Sequence, residues 1–225
     1  NIFRGHDNVQ GATDFCILSH SLPGYYGLSK GAWKHWSRVW DVDYDFLKGQ
    51  FAEEKMMNSK GIPVSRWIDG VLEDKANIDQ PDNLRAMVYW GHAVNSQTRL
   101  PEMKKATFAA VIPDRQDGIY VLPAATQFET RGSVTASNRS LQWRDKVIEP
   151  VFESRTDHEI MAMFAKKFGW TDKFFKNIKM DKIAEGREEP NIEDVTREFN
   201  TGMWTIGYTG QSPERLKAHM ANQVT

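Results

Sequence analysis

Two short segments of this sequence are dense in groups that bind anions or move charge. In Phe3-Arg4-Gly5-His6-Asp7-Asn8-Val9-Gln10-Gly11-Ala12-Thr13-Asp14, a guanidinium, an imidazole, two amides and two carboxylates stand among glycines that let backbone approach a ligand closely. A solvated polar loop is the competing reading of the same composition. The second segment, Trp90-Gly91-His92-Ala93-Val94-Asn95-Ser96-Gln97-Thr98, follows the apolar run Leu84–Tyr89. Main-chain N–H groups at a turn after a buried strand can hold a pyrophosphate, as at the switch points of doubly wound sheets. An ordinary strand-to-helix connection would look the same.

Other chemistries are poorly supported. The six histidines include no i, i+4 pair on a helical pattern and no cysteine partner at ligand spacing. The single cysteine, Cys16, excludes a disulfide framework, and also a cysteine-based zinc site or iron–sulfur cluster held by this chain alone. Nothing near Cys16 in sequence lowers its pKa, so a buried unreactive thiol is expected rather than a nucleophile. Neither a Gly-x-Ser-x-Gly elbow nor a Walker-type phosphate loop is present.

The elements that must position these segments are legible in outline. Residues 1–32 read as irregular backbone punctuated by Gly5, Gly11, Gly24, Gly27 and Gly31. A helix is expected over Ser29–Asp41, with Trp33, Trp36 and Trp40 on one face. That stripe is either a stacking platform or, as the absent basic groove favours, a buried face. A weaker helical pattern covers 43–57, a short helix Val64–Leu72, and a polar connection Glu73–Asn83. Leu84–Trp90 and Ile119–Pro123 read as buried parallel strands, and Pro101-Glu102 opens a helix between them. Thr156–Glu159 fits a capping box ahead of a face of Ile160, Met163, Phe164 and Phe168 that Gly169 closes. Further helices are expected over 190–200 and from Ser212-Pro213.

Composition sets the bounds. The 225 residues carry 29 Lys+Arg against 30 Asp+Glu, a net charge of −1 that gives no electrostatic reason to expect a nucleic-acid or anionic-membrane surface. No apolar stretch approaches the ~20 residues that span a bilayer, so no direct membrane insertion is expected. Eight Trp and twelve Phe exceed what an otherwise ordinary composition needs, and an aromatic surface packed against further protein is expected. The opening at Asn1 reads as the interior of a longer chain.

At the two polar segments the sequence becomes recognisable. Residues 3–14 resemble the Arg-Gly-(His/Gln)-x-Asn-Val-Gln-Gly segment of formate dehydrogenase large (alpha) subunits, in the molybdopterin oxidoreductase family. The resemblance continues through 22–28, 90–99, 122–130 and 132–144 to 202–210, covering nearly the whole chain. It implies an α/β fold: a Rossmann-like αβα layered, cofactor-binding domain over 29–225. Residues 1–28 would be an irregular active-site and cofactor loop at a domain junction. It also implies oxidation of formate to CO2 at a molybdenum or tungsten ion held by a bis-molybdopterin guanine dinucleotide. The metal-ligating Cys or selenocysteine and a 4Fe-4S cluster would lie outside this chain, and Cys16 does not match the ligand position. Expected partners are an iron–sulfur beta subunit and a membrane cytochrome gamma subunit, in anaerobic respiration at a periplasmic or membrane-associated location. The same fold acting on nitrate or arsenite, and a non-catalytic dinucleotide-binding module, are the alternatives.

Carried over residue by residue, the resemblance makes Arg4 the group that grips formate, since a guanidinium meets a carboxylate at two points. His6 falls where relatives carry His or Gln and would donate a positioning hydrogen bond. Gly5, Gly91, His92, Ala93 and Asn95 would lie along cofactor, as would Glu129 and Gly132 in a second cofactor-side loop. One departure stands out: Ala106 runs directly into Thr107, where relatives carry an apolar strand and an Asp-Pro turn. Either the chain carries a genuine deletion there or residues were dropped between 106 and 107 and the rest joined; because a missing central strand would leave ladder groups unpaired, the second is favoured, and a Cα gap there wider than the ~3.8 Å of a trans peptide is expected.

Overall fold

A computed structural model describes residues 9–16, 18–90, 120–136 and 138–222. The chain divides into two compact units, Asn1–Gln50 with Leu122–Thr225, and Phe51–Val121. Arg4, Gly5, His6, Gly91, His92, Ala93 and Asn95 lie outside the described residues, as do the helix expected from Pro101 and the 106/107 junction.

In the first unit, helix α1 (Val9–Asp14) replaces part of the irregular backbone expected over 1–32. Its own side chains support it: Thr13 Oγ1 donates to the Val9 carbonyl at 2.7 Å, and Gln10 Nε2 to Asp14 at 2.8 Å. Helix α2 (Lys30–Val39) starts at Ser29, whose hydroxyl accepts from the Ala32 N–H. The tryptophan stripe is core: Trp36 is 1% exposed, and Trp33 and Trp40 pack against the cluster of Leu22, Leu141, Ile192, Met203 and Tyr208. The weak pattern at 43–57 resolves into a five-residue helix, α3 (Tyr44–Lys48), and a separate 3-10 turn, Glu54–Asn58, which belongs to the second unit.

That second unit is built on helices α4 (Trp67–Leu72) and α5 (Lys75–Ile78) around buried Met57, Ile68 and Ile78. Asn83 Nδ2 donates to the carbonyls of Gly70, Val71 and Glu73, which closes the end of α4 and carries the chain to Leu84. Helix α5 interrupts a stretch expected to be loop, with Asp74 accepting from the Ala76 N–H as its cap.

Back in the first unit, strands β1 (Gly132–Thr135) and β2 (Leu141–Arg144) form an antiparallel hairpin in the register Gly132↔Arg144 to Thr135↔Leu141. Alternation sends Leu141 and Trp143 into the core. Helix α6 (Asp157–Lys167) and the short α7 (Thr171–Phe174) precede a second hairpin, β3 (Met180–Ala184) with β4 (Arg187–Pro190). Helices α8 (Ile192–Gly202) and α9 (Pro213–Ala218) follow, capped by Asn191 and Ser212. Helices α2 and α8 approach closely because residue 202 is glycine: a Cβ there would stand 2.6 Å from the Trp36 ring.

Three expectations are corrected. Leu84–Trp90 is extended but pairs with no strand among the described residues, and Val88 is 69% exposed. Among the described residues Tyr120–Leu122 is likewise unpaired, with Val121 88% exposed; pairing begins at Pro123, whose carbonyl accepts from the Arg155 N–H at 3.0 Å beside the parallel bridge from Ala124 to Arg155. An apolar run becomes a buried strand only where neighbours take its ladder groups and cover both its faces, and the described residues supply neither. The third correction is the buried face of α6. Thr156 caps as expected, accepting from the Glu159 N–H at 3.1 Å, yet the buried residues are Glu159, Ile160, Ala162 and Ala165. Arg155 and Arg187 both pair with the Glu159 carboxylate and draw it inward, and small alanines let β4 sit close. Met163, Phe164 and Phe168 are left at 46, 38 and 60% exposure. Mixed helix and strand content with small sheets is therefore the observed class.

Candidate functional site

The most constrained polar cluster lies at the end of the first chemistry-bearing segment. Asp14, at the last turn of α1, is fully buried. Its carboxylate accepts from Gln10 Nε2 at 2.8 Å and from the Tyr208 hydroxyl at 2.9 Å, and pairs with Arg139 Nε at 3.3 Å. Gln10 also donates to the Tyr25 hydroxyl at 2.7 Å, and the Arg139 guanidinium stands 5.9 Å from the Tyr25 ring centre. Burial, reinforced by the hydrogen bond to Asp14, holds the Tyr208 hydroxyl far above the usual phenol range, so it serves as a fixed donor. Each element arrives for a local reason. Phe15 is wedged edge-on against Phe199 and close to Tyr208, which orients α1. Arg139 is at the tip of the β1–β2 hairpin, where Arg139 N bonds the Ala136 carbonyl and Asn138 Oδ1 accepts from Ser140 N and Oγ.

Three of the six left-handed non-glycine residues among the described residues fall in or beside this cluster. Cys16, Tyr25 and Arg139 are left-handed non-glycine residues, at φ 68, 60 and 66°. Such residues cost of order 1 kcal/mol or more and persist where their surroundings over-determine them. The Cys16 thiol donates to the Ser21 carbonyl, and burial pushes its pKa up, as expected for an inert cysteine. The described part of segment 3–14 is thus no solvated loop.

The second described cluster is the loop before β1. Glu129, 1% exposed, accepts from the Thr126 N–H at 2.6 Å and the Val151 N–H at 2.8 Å. These bonds, the one from Thr126 foremost, hold its carboxyl below the usual range. Gly132 has φ +133°, and a Cβ there would meet Ile192 at 2.6 Å. Both of Glu129's oxygens are engaged by main chain and the space beside Gly132 is closed by Ile192, so what the pair supplies is the shape of the loop. Among the described residues Arg144 keeps a spare donor: its Nη2 reaches Thr130 Oγ1 at 2.8 Å, while its buried Nε has no partner there. Sequence reasoning missed Arg144 because nothing in a β-strand pattern marks a side chain with one N–H unused.

Two cavities border these clusters. One of about 460 Å³ is walled by the hairpin and α9, with Asn138, Arg139, Gln142, Arg215 and His219 on its lining. The other, about 70 Å³, contains Arg131, Lys146, His158 and Arg187. There Arg131 pairs with Asp181, Lys146 with Glu149 and Arg187 with Glu159, and burial holds the His158 imidazole below its usual pKa. Among the described residues no group of His, Cys, Asp and Glu is arranged to hold a metal ion, and no helix is long and apolar enough to cross a membrane.

Residues 120–167, which contain Glu129, the β1–β2 hairpin, Arg144 and α6, match the family described as Molybdopterin oxidoreductase. The chain is 29% identical over 222 residues to Probable oxidoreductase YjgC of Bacillus subtilis, covering 95% of this chain and 21% of that protein. It is 28% identical over 200 residues to the alpha subunit of an F420-dependent formate dehydrogenase of Methanocaldococcus jannaschii, covering 87% of this chain and 28% of the relative. A trimethylamine-N-oxide reductase of Vibrio cholerae is 31% identical over 169 residues, 66% of this chain and 20% of the relative. The chain therefore spans a fifth to about a quarter of the length of these curated relatives.

Proposed function

From the premise that this chain carries part of a molybdopterin oxidoreductase domain, we propose that it is a segment of a formate dehydrogenase large subunit, which oxidises formate to CO2. The observation that carries this reading is similarity along nearly the whole chain to a protein named for formate oxidation, joined to Arg4-Gly5-His6 at the position where a carboxylate would be gripped. A bis-molybdopterin guanine dinucleotide with Mo or W, when bound, supplies two-electron redox chemistry. The chain's own contribution is positional. Arg4 meets the formate carboxylate with a planar donor fork and aims its C–H bond. His6 donates a hydrogen bond. Gly5, Gly91, His92, Ala93 and Asn95 let main chain lie along the cofactor. Glu129 and Gly132 shape the second loop, and Arg144 fits that loop's role because its unpartnered buried Nε offers an N–H to an anionic group. The Rossmann-like αβα layering belongs to the same reading, as do electron transfer through a 4Fe-4S cluster to beta and gamma subunits and a periplasmic or membrane-associated location.

The test is formate-dependent dye reduction by the complete, cofactor-loaded subunit. Arg4→Lys keeps the charge and loses the fork, and should lower turnover at least about tenfold, roughly 1.4 kcal/mol of barrier. Wild-type turnover in that variant removes Arg4 from the site. The relative named as a trimethylamine-N-oxide reductase favours a second reading, reduction of a small oxo-substrate. Oxidation of a reduced dye by trimethylamine N-oxide, with no response to formate, would select it.

A further inference from the structure

We propose that Asp14 is a positioning residue: it fixes α1 and the β1–β2 hairpin tip in one arrangement, and turnover depends on that arrangement. The inference deepens the reading above and rests on it, because α1 is the downstream half of the segment that carries Arg4. Its warrant lies in the described residues. A fully buried carboxylate is tolerated only when its charge is paired and its lone pairs are taken, and Asp14 meets both conditions with donors from three separate stretches of chain. Arg139 is the partner that matters most. It is held at φ 66°, a conformation its side chain disfavours, by its turn bond to Ala136, its place against Tyr25 and its pairing with Asp14. Arg139 and its neighbours Asn138 and Ser140 also wall the 460 Å³ cavity, so releasing Arg139 from Asp14 changes that wall as well as the seat of α1. Of the six left-handed non-glycine residues among the described residues, Tyr25 and Arg139 stand at this carboxylate's network and Cys16 lies two residues beyond it. Asp14 acts through the chain on either side of it and touches no substrate.

Asp14→Asn separates the roles, since it keeps the shape and the acceptor for Tyr208 but removes the charge that holds Arg139. The experiment measures hydrogen exchange of peptides 9–16, 136–144 and 157–167 in the intact, cofactor-loaded parent protein, alongside formate kcat and KM. The expected result is at least tenfold faster exchange in 9–16 and 136–144, unchanged exchange in 157–167, and a fall in kcat of at least tenfold with KM within threefold. With Asp14 intact, Arg139→Lys keeps the cation and should retain part of the protection and part of kcat, whereas Arg139→Gln should retain neither. Unchanged exchange in either of the first two peptides overturns the proposal. So does loosening that extends equally to 157–167, which would mark Asp14 as merely structural. Should Asp14→Asn not fold, Tyr208→Phe removes one donor from the same carboxylate and carries the same readouts. A wild-type protein that ignores formate but shows the exchange pattern would sink the substrate assignment and leave the positional coupling standing.

Discussion

Around Asp14, polar groups are buried; along α6 and α7, aromatic ones are exposed. At the first place a carboxylate, a guanidinium, a phenol and an amide satisfy one another out of water. At the second, Phe164, Phe168, Trp170 and Phe174 form a ladder of rings with centroids 6.5, 4.6 and 6.0 Å apart, ending at Phe46 5.9 Å further on. Phe168 is 60% exposed, and Lys173 stands over the Phe46 ring. Phe164 and Phe168 are exposed, while Trp170, Phe174 and Phe46 are half-buried. The contrast shows that these two regions depart from burial by hydrophobicity, which the core around Trp36 and Met203 obeys. A charge goes inside where three donors meet it, and a ring stays outside where the described residues provide no wall.

The comparison breaks most visibly at the carboxylate. Asp14→Ala takes the acceptor from the Tyr208 hydroxyl and from Gln10, while the half-exposed Arg139 guanidinium can turn to water, and the unsatisfied donors set an expected loss of about 3 kcal/mol. A denaturant midpoint within 0.5 kcal/mol of wild type would show that the cluster is not the keystone described. Tyr208→Phe is the smaller version. It deletes one donor and leaves Asp14 short of a hydrogen bond, for an expected loss of about 1–3 kcal/mol, read from the same transition.

How much of this was legible in the sequence differs between the two regions for a physical reason. Caps and helix starts are local, and Ser29, Thr156 and Ser212 each accept from the N–H three residues on, where their types and spacing put them. The tryptophan face of α2 also followed from period, because one buried Trp36 drags its neighbours inward. What failed was whatever depended on distant chain. The inward face of α6 was decided by Arg187, 28 residues from Glu159, and no pattern within the helix signals it. Leu84–Trp90 reads as a strand by content, and pairing is not a property of content. The Asp14 cluster was half visible: segment 3–14 stood out by composition, but Tyr208 lies 194 residues away. Nothing in its surroundings announces it, although Gly-Tyr-Thr-Gly falls within the stretch that resembles the family.

Glu198 sharpens the comparison from the other side, because its carboxylate is desolvated and, among the described residues, meets the Asn177 amide rather than a cation. It faces Asn177, three residues past the last ring of α7, at 3.5 Å, and burial pushes its pKa up to about 7. The folded state then holds a proton that the unfolded chain releases near 4.5. The contribution of Glu198 to stability is accordingly greatest below pH 4.5, declines as pH rises from 4.5 to 7, and stays reduced above that. After allowance for solvent screening of a half-exposed group, Glu198→Gln should stabilise the protein by about 1 kcal/mol at pH 8 and change nothing at pH 4. Equal effects at both pH values would show that the group titrates normally.

The smallest effect belongs to the exposed ladder. Phe168→Ser removes a ring that stacks on Trp170 but buries little, so unfolding free energy should move by no more than about 0.5 kcal/mol. Solubility should rise, since a contiguous aromatic surface promotes association when nothing covers it. The pairing of the two numbers is what discriminates. A loss near 3 kcal/mol, comparable to Asp14→Ala, would mean that the ladder is core in solution and that burial there follows hydrophobicity after all. A change inside 0.5 kcal/mol, together with a higher concentration before light scattering sets in, keeps the two regions distinct: one closed upon itself by charge and hydrogen bonds, the other left apolar on its outer side.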